Sequence, residues 1–306
     1  MNKTIKMKFA KRMTAVMIAV FLVLGFLGTA STPVEANGAA EWSFVSIPDL
    51  PDGAVARKLW ADSPENVYVW IEDGDPRGIY LYHWDGAVWA EELSLPGYRS
   101  GLIHGNSADD IFVSASCPST DCIGFEKPRM FRFDGITWAE LTLPSGVGNM
   151  VRGLSGAPGE MQIAVNGTPS NNPNFIFEYD YGSDTWQQIS TTSLLAYVKA
   201  MYFLSVDEGY YTACWGHARW DGADWDAKKE FDFCDISDLW GTRDDSGQLH
   251  LYTVGKNNFG NGVRVWKYTE NLNPDLLGTF GSKCGFVFGD PINGSFICGG
   301  VYHIGG

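Results

Sequence analysis

The sequence predicts an all-β fold, a six-bladed β-propeller of four-stranded antiparallel blades, and three observations carry that expectation. A short phrase, an aromatic strand followed by Asp-Gly and a second strand opening on Trp, recurs along the chain. A second hairpin of short apolar runs precedes each copy. The two ends of the chain hold complementary parts of one further unit, so that joining them completes a ring.

The phrase reads Leu81-Tyr82-His83-Trp84-Asp85-Gly86-Ala87-Val88-Trp89 in its first copy and Met130-Phe131-Arg132-Phe133-Asp134-Gly135-Ile136-Thr137-Trp138 in its second. It returns as Phe177-Glu178-Tyr179-Asp180 closing on Trp186, as Arg219-Trp220-Asp221-Gly222-Ala223-Asp224-Trp225, and more loosely as Val265-Trp266-Lys267-Tyr268. Alternating aromatics suit a pleated, packed surface, and Asp-Gly is a two-residue hairpin signal.

Six upstream pairs follow one another. They are Leu59-Trp60 with Val67-Tyr68-Val69, Ile103 with Ile111-Phe112-Val113, Leu154 with Met161-Gln162-Ile163, Phe203 with Tyr210-Tyr211-Thr212, Leu239-Trp240 with Leu249-His250-Leu251, and Phe286-Val287-Phe288 with Ser295-Phe296-Ile297. A unit of about 40–50 residues cannot bury both faces alone and must stack on its neighbours. In the sixth, the chain stops at Val301 to Gly306, before its Trp strand. That strand is expected at the other end, Glu41-Trp42-Ser43-Phe44-Val45-Ser46-Ile47-Pro48, where it would pair an otherwise open edge.

Residues 1–36 read as a cleaved secretory signal, with Lys3, Lys6, Lys8, Lys11 and Arg12 before an apolar run from Thr14 to Leu27 and small residues after it. The expected mature domain, 37–306, keeps 17 of the 22 basic and 35 of the 36 acidic residues, a net charge of about −18. Such acidity argues against nucleic acid or an anionic membrane surface as partner. A secreted or periplasmic monomer, without membrane insertion once the signal is removed, is the expectation.

Six cysteines in an exported chain predict three disulfides. Cys284 and Cys298 are equidistant from Pro291 and should face each other across a hairpin; Cys117 and Cys122 close a short loop; Cys214 is left with Cys234. No C-x-x-C spacing supports zinc.

The search for chemistry finds no G-x-S-x-G, H-E-x-x-H or phosphate-cradling loop. His83 and His303 share a third-strand position with Arg132, Glu178, Arg219 and Lys267, which reads as a polar, solvated slot. His104 alone falls on an innermost strand, in the slot held elsewhere by Trp60, Leu154, Phe203, Trp240 and Phe288. The loops after the second strands offer amides at Asn166, Asn171, Asn172, Asn257, Asn258 and Asn261, with Trp215 as a stacking face. Blade connections place Arg57, Lys58, Arg99, Arg152, Lys199 and Lys283 near the channel mouth, where an anionic group could bind. Asp73, Asp75, Asp109, Asp110, Asp244 and Asp245 are hard oxygen donors of the kind calcium takes, without EF-hand spacing, so no cofactor is expected and calcium is the one candidate.

The aromatic-x-aromatic-Asp-Gly-x-x-Trp phrase resembles the short repeats of exported bacterial propellers and, more distantly, kelch repeats, to which Gly299-Gly300 adds. Gly182-Ser183-Asp184-Thr185-Trp186 resembles the Asp-box turn of six-bladed sialidases but lacks that box's glycine, and no arginine triad with a nucleophilic Tyr can be assigned. The resemblance implies packing rather than an activity. The expected function is a non-catalytic recognition module for a glycan or an extracytoplasmic protein. Its candidate ligand-binding residues are Arg57, Arg99, His104, Arg152, Asn171, Lys199, Trp215, Asn257 and Asn258. The alternatives are a carbohydrate-active hydrolase or lyase, using a carboxylate or His104 at the channel mouth, and a structural scaffold.

Overall fold

The repeats fold as antiparallel sheets in the computed structural model, which describes residues 47, 50, 54–63, 65–74, 77–117, 127–145, 147–167, 174–190, 198–213, 216–229, 236–256, 263–268, 274–280, 286–290 and 295–299. Blade one comprises β1 (Val55–Ser63), β2 (Asn66–Gly74), β3 (Arg77–Trp84) and β4 (Trp89–Pro96). Blade two comprises β5 (Ser100–Ser107), β6 (Asp110–Ser116), β7 (Arg129–Phe133) and β8 (Trp138–Leu141). Blade three comprises β9 (Val147–Ala157), β10 (Glu160–Gly167), β11 (Asn174–Asp180) and β12 (Thr185–Ser190). Blade four comprises β13 (Val198–Ser205), β14 (Glu208–Ala213), β15 (Gly216–Trp220) and β16 (Trp225–Lys229). Blade five comprises β17 (Ile236–Arg243), β18 (Leu249–Lys256), β19 (Val263–Tyr268) and β20 (Pro274–Phe280). A two-stranded sheet, β21 (Phe286–Asp290) with β22 (Ser295–Gly299), follows where the sixth blade is expected.

Within every four-stranded blade the sheet order is the chain order. The first strands β1, β5, β9, β13, β17 and β21 pack beside one another in sequence, and the first five of them wall a central channel. The second strands are continuous apolar runs because they are covered on both faces by the adjoining blades; Val67 to Ile71 in β2 are each at most 2% exposed. The large apolar clusters straddle blade boundaries. Tyr68 and Trp70 of blade one pack with Ile111, Val113 and Phe131 of blade two, and Phe112 and Met130 of blade two pack with Met161, Ile163 and Tyr179 of blade three. The core is thus made between blades, and a single blade has none of its own.

The repeat turn is longer than a two-residue hairpin. Trp84 pairs with Trp89, leaving four residues between them. The Asp85 carboxylate accepts from the Ala87 and Val88 amides, each at 2.8 Å, and Gly86 takes φ +93°. Asp134 and Asp221 repeat this arrangement. The Asp side chain supplies the turn's acceptor and the Gly its positive φ, which separates two roles that Asp-Gly alone suggested were one. In blade three Tyr181 rather than Gly follows the Asp, and there Asp184 takes the positive φ, +52°.

The strands expected to complete blade six, 41–48 and 301–306, lie outside the described residues except for Ile47. Ile47 is buried against Val69 and Ile71 of blade one. Across β21–β22, Cys298 stands opposite Val287. The hairpin centre therefore falls after Pro291, and the expected Cys284–Cys298 opposition is not the register adopted; Cys284 itself lies outside the described residues.

Candidate functional site

The channel wall is built on one repeated position. Trp60, His104, Tyr202 and Trp240 face Tyr68, Phe112, Tyr210 and Tyr252 across the first hairpin of their blades, and in blade three Ser155 faces Gln162 in the same step. Of the expected slot mates, Leu154 lines the cavity but pairs with Ile163, one step from Ser155, and Phe203 stands one residue beyond Tyr202.

This position stitches blades one to four together in succession. The Trp60 indole N–H donates to the Gly105 carbonyl at 2.9 Å, and His104 Nε2 donates to the Gly156 carbonyl at 3.0 Å. The Phe203 amide donates to Ser155 Oγ at 3.1 Å. Each partner stands one residue beyond the slot of the following blade, so His104 does in blade two what Trp60 does in blade one. Burial, only partly opposed by the Gly156 bond, pulls the His104 pKa down to about 4, which leaves the ring neutral with its proton on Nε2. Water reaches it through the channel, so its surface is only half-buried, while protein surrounds the ring itself. A histidine in that state is a tether rather than a general base. Gly105 is required by the close approach, since a Cβ there would lie 2.4 Å from the Trp60 ring.

The start of each first strand lies beside the end of its second strand, as in Val55 with Glu72 and Ser100 with Ser116. The second-to-third-strand loops and the blade connections thus emerge on one face, here called the top. At that end the channel opens into a mouth of about 390 Å³, lined by Arg57, Lys58, Arg99, Arg152 and Lys199 together with Glu72. Below it the channel encloses about 320 Å³ walled by Trp60, His104, Tyr202 and Trp240, with Asp238 near the rim. Arg57 bonds Glu72, and Lys58 Nζ reaches across the channel from β1 to Asp238 on β17 at 2.9 Å.

Of the residues expected to bind ligand, Arg57, Arg99, Arg152 and Lys199 come together at the mouth, and His104 lies deeper in the wall. Asn171, Trp215, Asn257 and Asn258 lie outside the described residues, as does Lys283. Glu72 and Asp238 were not singled out from the sequence. Asp238 stands two residues before Trp240, as Lys58 stands two before Trp60, so aligning the repeats would have paired them.

The opposite, turn end holds polar groups that are consumed locally. Arg132 bonds Asp110 at 2.9 Å, and Asp110 also accepts from Asn106 and Tyr181. His83 donates to Asn66 at 2.8 Å and stacks on Tyr68 with centroids 4.1 Å apart. The slot expected to be solvated is therefore half-buried in blades one and two, because a polar side chain at the hairpin tip meets it; among the described residues only in blade four is its side chain exposed, at Arg219. His250 bonds Asp244 at 2.9 Å, and His217 is buried edge-on to Tyr268. Among the described residues no three His, Cys, Asp or Glu side chains gather as metal ligands. Cys117, buried at the end of β6, is not a free thiol.

No protein-family model matches the chain, and no curated protein matches it. Solved structures similar to it include a fungal lectin from Aleuria aurantia, a six-bladed β-propeller that recognises fucose, at 13% identity over 71% of this chain and 74% of that one with a TM-score of 0.50. An oligogalacturonate lyase from Vibrio parahaemolyticus is 9% identical over 80% of this chain and 72% of that one, TM-score 0.49. TolB from Acinetobacter baumannii is 15% identical over 74% and 53%, TM-score 0.45. At such identity the lectin likeness speaks to the propeller fold alone. Among the described residues no helix is long and apolar enough to cross a membrane.

Proposed function

We propose that the protein is an exported, non-catalytic recognition module that binds a glycan or an extracytoplasmic protein over the top-face mouth of its channel. The observation that carries this reading is the composition of that cavity. Charged side chains from several blades gather at its rim above aromatic walls, while its one described histidine is committed to a backbone carbonyl. Acid–base catalysis needs an acid and a base that converge within hydrogen-bond reach of a substrate. The two described carboxylates of the cavity, Glu72 and Asp238, instead each bond a cation. Binding requires only exposed aromatic and charged groups, which the cavity supplies in its walls and rim.

The test is saturable binding of the purified protein to a glycan array, with calcium and with chelator, and its loss when Trp215 or both Asn257 and Asn258 become alanine. Conversion of a bound saccharide into products would overturn the recognition reading in favour of a hydrolase or lyase. Calcium dependence would make ligands of the acidic turns.

Export and ring closure belong to the same proposal. The basic and apolar leader supports secretion through a cleaved signal, and the kelch-like repeat fits an exported propeller. Ile47, buried against blade one, supports a sixth blade completed by residues 41–48. The bonded state of Cys117 supports a disulfide with Cys122, with Cys214–Cys234 as a second pair. Deleting residues 41–48 is expected to leave an aggregating protein; a soluble deletion variant with an unchanged melting curve would remove the closure.

A further inference from the structure

We infer that the ligand is acidic: the mouth is a site for a carboxylated or sulfated sugar, held by cations that β-bulges deliver to the rim. The inference rests on the recognition reading above and names the chemistry of its ligand. Four of the five complete blades break the ladder between their first and second strands at one equivalent step. The residues left unpaired are Arg57, between Ala56 opposite Ile71 and Lys58 opposite Trp70; Arg152; Lys199; and Ser237. Each stands three residues before its blade's slot residue. A bulge gives up a ladder hydrogen bond and re-aims the extra residue, and such features concentrate beside functional sites. Here three of the four extra residues are cations, and all three line the same mouth.

Blade two has no bulge at this step. It holds Gly101 there, where a Cβ would lie 2.9 Å from the Trp70 indole, and its cation, Arg99, comes from the preceding connection. Blades one to four thus each deliver a cation to one rim. With Lys58 the described lining holds five cations against Glu72 and Asp238, on a chain whose net charge is −14. A group of like charges held together in an acidic protein is complementary to an anion, and Arg in particular binds carboxylate or sulfate through paired N–H bonds.

The size of the site favours a sugar over a protein surface. A mouth of about 390 Å³ lies in the range of small-ligand pockets, whereas a protein partner buries roughly 800 Å² on each side. Trp60 and Trp240 in the wall below offer the apolar faces on which sugar rings stack.

The test is calorimetric titration of the purified protein with a glucuronate-bearing tetrasaccharide, its methyl ester, a sulfated tetrasaccharide and maltotetraose. Arg152→Gln, Lys199→Gln and the charge-preserving Arg152→Lys are compared with the parent after their melting curves are shown to match it. The expected result is binding of the carboxylated or the sulfated saccharide, weakened about tenfold by either Gln substitution, less by Arg152→Lys, and falling with added salt. The ester arm separates carboxylate from sulfate recognition. Equal binding of maltotetraose, or acidic binding unmoved by both Gln substitutions, overturns the acidic ligand while leaving glycan recognition standing. Failure of every saccharide here and on the full glycan array overturns both.

Discussion

The two ends of the blades treat charge in opposite ways. At the turn end cations meet carboxylates within a blade or across one boundary: Arg132 on Asp110, and Arg243 on Glu208 of the preceding blade. Among the described residues of the mouth end are five cations and two carboxylates, and three of the cations stand where the ladder is interrupted. The turn end has the arrangement that stability selects, and the mouth gives up ladder bonds in the manner of a site kept for a ligand. Substitutions at one end should therefore register as stability, and at the other as binding.

The largest effect is expected where blades are joined. Trp70 is 1% exposed and donates to the Leu102 carbonyl at 3.0 Å. Trp70→Ala should cost about 3–5 kcal/mol in a urea titration, with loss of cooperativity because the core is shared between blades. A change below about 1 kcal/mol would mean that the blades hold together by other means. Next comes Arg132→Ala, which removes the cation paired with Asp110, leaving that carboxylate only its Asn106 and Tyr181 bonds, and takes away the cation lying over the Tyr181 ring at 4.7 Å; about 2–3 kcal/mol is expected.

His104 gives a smaller, pH-dependent effect. Its folded pKa lies near 4 against an ordinary value of 6.5, so the unfolded chain takes up a proton first as pH falls. Stability is full above pH 6.5 and declines between 6.5 and about 4, by roughly 1–2 kcal/mol once water in the channel is allowed for. In His104→Gln that part of the acid decline should vanish. Denaturant midpoints measured across this range for both proteins decide it.

Blade three is the exception at the turn end and sharpens the contrast. Its slot holds Glu178 where blades two and four hold Arg132 and Arg219, and the tip acid beside it is Glu160. Burial, with Glu178 and Asp207 adding to it, pushes the Glu160 pKa up to about 7, against a donated bond from Gln162. The sign is opposite to that of His104: the folded state keeps a proton that the unfolded chain releases near 4.5, so stability falls as pH rises from there to about 7. Glu178→Arg should rebuild the pair of the neighbouring blades and raise stability at pH 8 by up to about 1 kcal/mol, with little gain at pH 5. A gain of equal size at both values would show that charge at Glu160 is not its source.

These contrasts were unequally legible in the sequence. The Asp-Gly-x-x-Trp phrase located the blades because turn chemistry and aromatic spacing are local properties. The cations Arg57, Arg152 and Lys199 were found by type and by place in the repeat. Their bulges were not, since an extra residue is defined only against the strand it pairs with. Register too is fixed only by pairing, so Leu154 and Phe203 were placed one residue from the paired slot, and a hairpin centre placed by counting set Cys298 opposite the wrong residue. The Glu160–Glu178 contrast was present in the repeat alignment but read as a solvated position, because the tip residue facing it comes from a different strand.

The smallest expected effect is the most discriminating. If the mouth cations were structural, their removal would cost what Arg132 costs. Clustered like charges instead repel one another through a partly aqueous cavity, so neutralising one relieves repulsion while giving up whatever bond it makes, and the two nearly cancel. Arg152→Gln and Lys199→Gln should each leave the denaturant midpoint within about 0.5 kcal/mol of the parent, and added salt should raise the parent's stability slightly more than theirs. A loss of about 2 kcal/mol in either would place that side chain among the fold's own supports and withdraw it from the ligand site.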